Sequence, residues 1–124
     1  MKKVVYFFTC VIISLMAVSC SQGAAAIDKA YEQACDATSA ITVATTLCNG
    51  DINCSTLTPD EACKLGAVLG YITYHGLYTR DFEAQVDMYQ FKKLVEGYRE
   101  IEKNQTGTER LKVEELTKQI MVTQ

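Results

Sequence analysis

Four thiols outside the hydrophobic leader, Cys35, Cys48, Cys54 and Cys63, are the residues best equipped for chemistry. Thiols at such density serve as disulfides, as metal ligands or as a redox pair. A redox pair calls for Cys-x-x-Cys and a zinc site for closely spaced ligand pairs, and neither pattern occurs. Structural disulfides are therefore the expectation. His75 is the single histidine; no nucleophile or orienting partner for it is identifiable, so it reads as a helix-end residue and no catalytic residue is assigned. Asp51-Ile52-Asn53-Cys54-Ser55 begins like a calcium loop, but Thr56 stands where Gly is needed and Ala62 where Glu is needed. No metal and no cofactor is expected. Tyr71, Tyr74 and Tyr78 fall at i, i+3 and i+7, a helical stripe read either as packing (core or dimer) or as a binding face.

The other two cysteines belong to the start of the chain. Met1-Lys2-Lys3 is a positive n-region, and residues 4–18 carry no charge. A membrane-spanning helix needs roughly 20 apolar residues, so this shorter run reads as a signal peptide over residues 1–19. Cys10 lies inside it. Ala17-Val18-Ser19-Cys20 resembles a bacterial lipobox, with Ala17 where Leu is usual. The resemblance implies acylation of Cys20 by palmitate-type chains, a tether over residues 20–26, and attachment to a membrane. Ser21-Gln22 lacks the Asp of an inner-membrane retention signal, which implies the outer membrane, periplasmic face. Cleavage within Gly23-Ala24-Ala25-Ala26 is the alternative.

The remaining chain, 27–124, is long enough for one domain with a modest core. Net charge is −3, or −5 (ten basic against fifteen acidic residues) without Lys2 and Lys3. That balance excludes a basic nucleic-acid footprint. Apolar spacing at Ile27, Tyr31, Ala34, Ile41 and Ala44 predicts a helix over 27–47, with a strand alternative where Thr42, Val43, Thr45 and Thr46 are β-branched. Thr58-Pro59-Asp60-Glu61 predicts a capped helix start, running to about His75 with Gly76 as terminator. Phe82, Val86, Tyr89, Phe91, Leu94, Val95, Tyr98 and Ile101 predict one further helix. Leu111 through Val122 predicts the last. The fold expected is all-α, a small bundle of three to four helices.

One helix over 27–47 places Cys35 and Cys48 about 20 Å apart at 1.5 Å per residue, beyond the roughly 7 Å that a disulfide spans. Folding that helix back through the turn at Asn49–Asn53 gives a nested pairing. Cys48–Cys54 and Cys35–Cys63 are the expected bridges, stapling an N-terminal hairpin.

Two segments carry a wider resemblance. Leu65-Gly66-Ala67-Val68-Leu69-Gly70-Tyr71 and Val86-Asp87-Met88-Tyr89-Gln90-Phe91-Lys92-Lys93-Leu94-Val95-Glu96-Gly97-Tyr98, followed by Val113-Glu114-Glu115-Leu116, resemble the N-terminal helical domain of bacterial FKBP-type peptidyl-prolyl isomerases. The region from Cys35 to Cys54 has no counterpart, and no isomerase domain is expected beyond these helices. The resemblance implies a dimerising, chaperone-like helical module without catalysis. Together with the leader it gives the expectation of a non-enzymatic envelope lipoprotein working through a homodimer or another envelope protein. A monomeric stress-type or inhibitor-type binding module is the alternative.

Overall fold

The computed structural model describes residues 23–76 and 79–123. The expected signal peptide with Cys10, the expected acylation site Cys20, and Tyr78 lie outside the described residues. Those described form six α-helices and one 3-10 turn, with no strand among them. The protein is all-α, as its periodicity predicts.

α1 covers residues 23–35 and α2 covers Ala40–Asn49. The single helix expected over 27–47 is thus broken in two. Ala37 takes the left-handed conformation, φ 57°, and Thr38 N–H bonds back to Gln33 O at 3.2 Å. Ser39 then caps α2, its hydroxyl accepting from Thr42 N–H. Neither Gly nor Pro marks this break, which is why apolar spacing runs across it. The β-branched stretch is helical all the same because α2 buries Ala40, Val43, Ala44 and Leu47 along one face, while Thr45 donates its hydroxyl to Ile41 O. α2 folds back antiparallel on α1: Thr46 donates to Gln33 at 2.8 Å, and Gly50, the C-cap of α2, lies against Ala26.

α3 spans Pro59–Tyr74 and carries the predicted capping box, with Thr58 and Glu61 exchanging two bonds of 3.2 Å. It ends at His75, and Gly76 takes φ 103° beyond it. α3 is the central helix of the bundle. One side buries Leu65, Val68 and Ile72 with Ile27, Val43 and Leu47 of the first hairpin. Another side runs along α6, Gly107–Thr123, in parallel: Asp60 pairs with Lys112, Cys63 meets Glu109, and Gly70 lies near Thr117. α6 begins with a second capping box, Thr106 with Glu109.

The helix expected from Phe82 to Ile101 is also split. α4, Arg80–Gln85, ends in extended Val86, and Asp87 caps α5, Met88–Lys103, by accepting from Gln90 N–H at 3.2 Å. The kink stacks Phe82 edge-on against Phe91, ring centroids 5.4 Å apart, closing the core.

These breaks leave the cysteines expected to pair apart from one another. No two cysteines are bridged among the described residues. α1 runs parallel to α3, since Asp28 pairs with Lys64 and Tyr71 bonds Thr38 O further along both. Cys35 therefore lies seven residues, about 10 Å, past the level of Lys64 and its neighbour Cys63, outside disulfide reach. Cys48 and Cys54 are held apart by α5. Cys48 Sγ reaches Asp87 O at 3.9 Å, whereas Cys54 packs on Gly97. Ten residues of helix separate those contacts, about 15 Å.

Candidate functional site

Each thiol is seated in a packing role. Cys48 is half-buried, and burial together with the nearby Asp87 carboxylate pushes its pKa up to about 11. Burial also raises Cys54 and Cys63. Cys63 Sγ donates to Glu109 O at 3.5 Å. Thiols raised in this way are protonated at neutral pH and are weak nucleophiles and ligands. Cys48 and Cys54 share the wall of a polar cavity of about 710 Å³ with Asn49, Asn53, Gln90 and Lys93. Among the described residues no group of three His, Cys, Asp or Glu side chains is placed to hold a metal ion.

The tyrosine stripe does not form one face. Tyr71 is a core residue whose hydroxyl donates to Thr38 O, tying α3 to the exit of α1. Burial against the first hairpin overrides the helical spacing it shares with Tyr74, so Tyr71 is withdrawn from the binding face. Tyr74 is exposed. His75 sits at the helix end, its ring 4.5 Å from that of Tyr71 and 5.1 Å from that of Tyr74. The His75 ring thus lies between buried Tyr71 and exposed Tyr74 at the end of α3.

A better-formed surface lies between α3 and α5. Glycines on α3 create it. Gly66 admits the Tyr98 ring so closely that an added Cβ would lie 2.7 Å from Tyr98 Cζ. Gly70, one turn on, has only the Thr117 side chain nearby, at 3.7 Å. The result is a groove of about 530 Å³ whose floor is Leu69, Phe91 and Val95 and whose rim carries Lys92, Glu96 and Arg99. Thr73 and Met88 line it where α3 ends and α5 begins, next in the chain to exposed Tyr74 and Tyr89. Beside the groove, burial raises the Tyr98 phenol, Glu102 adds to this and the Gln105 amide opposes it. Gln105 is itself buried, and its Nε2 has no hydrogen-bond acceptor among the described residues.

Met88, Lys92, Val95 and Arg99 escaped sequence reasoning as a group, although steps of four, three and four put them on one stripe of α5. The signal was legible, but the partner helix across the groove was not.

A scan of protein-family models finds no match to this chain, and searches of curated proteins and of solved structures find none either.

Proposed function

We propose that this chain is a non-enzymatic lipoprotein of the cell envelope that works through protein–protein contacts. The observation that carries the contact reading is the α3/α5 groove, with its apolar floor, its rim of both charge signs and exposed tyrosines at one end. Apolar clefts with few polar groups are common recognition surfaces, and aromatic side chains are enriched where partners bind. The leader and Cys20 support the envelope address. The disulfide support for an oxidising compartment is withdrawn, so the address stands on the leader. The likeness of α3 and α5 to the helical domain of FKBP-type isomerases favours a chaperone-like role, because both resembling segments border the groove. No helix among the described residues is long and apolar enough to cross a membrane.

The test is site-specific photo-crosslinking in native envelopes. A photoreactive residue at Lys92, on the rim, is expected to give discrete protein adducts, whereas one at exposed Lys29 on α1 is not. Gly70→Met fills the groove without meeting backbone, so it is expected to abolish the Lys92 adducts while the protein remains folded by circular dichroism. Identical adducts from both positions, or adducts from Lys92 that survive Gly70→Met, would remove the groove from the argument.

A further inference from the structure

Outside the groove, α6 has a face that nothing among the described residues covers. Its inner face packs on α3, with Ile120 fully buried and Leu116, Thr117 and Val113 partly so. The opposite stripe follows steps of four, three and four: Leu111, Glu115, Lys118 and Val122. All four are exposed, Leu111 at 67% and Val122 at 84%. Two of the most exposed large apolar side chains of the described chain thus stand on one line, eleven residues or about 16 Å apart, with an acid and a base between them.

The order of these four residues is self-complementary. When two copies of one helix are laid antiparallel about a two-fold axis passing between Leu116 and Thr117, each residue faces the one equally far from that point on the other copy. Leu111 then faces Val122 of the second copy, and Glu115 faces Lys118 of the second copy. Each apolar end meets an apolar end and each charge meets its opposite, twice over, as an isologous contact requires. Next to the stripe, Glu114 faces Gln119, so no like charges oppose there. A parallel pairing would instead set Glu115 against Glu115 and Lys118 against Lys118.

We propose that α6 is the self-association surface of this protein, pairing antiparallel with α6 of a second copy through Leu111–Val122 and Glu115–Lys118 contacts. The two-fold arrangement leaves the α3/α5 groove of each copy on another side of α3. The proposal thus gives a surface to the homodimer expected from the helical resemblance and does not depend on the groove. Crosslinking from Lys92 and association through α6 can fail separately.

The experiment is sedimentation equilibrium of the full chain in density-matched non-ionic detergent, with three charge variants. The wild-type chain is expected to dimerise at micromolar to tens of micromolar concentration. E115K brings two pairs of like charges together and is expected to raise the dissociation constant about tenfold or more. K118E is expected to do the same from the other side. The double variant E115K/K118E restores opposite charges at both contacts and is expected to recover association to within about threefold of wild type. All four positions are exposed, so folding is retained, and circular dichroism verifies this. A wild-type chain that is monomeric at 200 µM, an E115K chain that still dimerises like wild type, or a double variant as weak as the single ones would each overturn the proposal.

Discussion

Gly50→Ala isolates the contact that holds the first hairpin together. Gly50 caps α2 at φ −82°, ψ −4°, a conformation alanine adopts freely, so backbone strain plays no part. Steric overlap does. A Cβ at Gly50 would run into Ala26 Cβ on α1, more than about 1 Å inside the ordinary 3.5–4.0 Å carbon separation. Neither methyl can rotate away, so the helices must part. A gap of about 1 Å forfeits up to half of each van der Waals contact along the seam where Ile27, Ala30 and Ala34 meet Val43, Ala44 and Leu47. Overpacking of this kind costs about 1–3 kcal/mol, against which the lower chain entropy of unfolded alanine returns about 0.4–1 kcal/mol. The net expectation is a loss of about 1–2 kcal/mol, or a Tm lowered by about 5–15 °C in a domain of this size. Urea titration followed at 222 nm measures it. Ala26→Gly alone loses about 1 kcal/mol through helix propensity. The double variant A26G/G50A removes the overlap and is expected to be more stable than the sum of the two losses by about 1 kcal/mol or more. If Gly50→Ala is as stable as wild type, or if the double variant merely adds the two losses, the close approach of α1 and α2 is refuted.

Two further expectations concern charge and thiols. At pH 8, with its pKa near 11 against an ordinary 9.0, native Cys48 is expected to alkylate about a hundredfold more slowly than a model thiol, rising to the model rate in urea; fast native labelling would contradict its burial. Asp60 has its carboxyl lowered from 3.8 by its bond to Lys112, so the contribution of that pair is fully present above the unfolded pKa and is lost as pH falls through the lower folded one. The stability gap between wild type and Asp60→Asn is therefore expected to be present at pH 6 and to close as pH falls through the lowered carboxyl pKa, and a gap unchanged across the acid range would show that the pair makes no pH-dependent contribution.

Local rules written in the sequence settled the helical class, the start of α3 and its end. Thr58 and Glu61 satisfy donors within one turn, and Gly76 needs no neighbour to take a positive φ, so these features hold wherever the segment is placed. The amphipathic spacing of α5 is of the same kind. The breaks at Ala37–Ser39 and Val86–Asp87 were signalled only by cap residues, Ser39 and Asp87, which compete with an apolar period that continues through them. The tertiary fold tipped that competition by turning α2 back on α1 and stacking Phe82 on Phe91.

The relations between helices lay beyond the sequence. Whether α1 runs parallel or antiparallel to α3 depends on which faces bury the most apolar area together, and that choice separates Cys35 from Cys63. It also buries Tyr71 while leaving Tyr74, three residues on, in solvent. The groove arises because Gly66 and Gly70 face α5 and α6 rather than the first hairpin. A sequence records how much apolar surface each helix carries on each face. Only the packed bundle decides which of those faces meet, and which are left open for another protein.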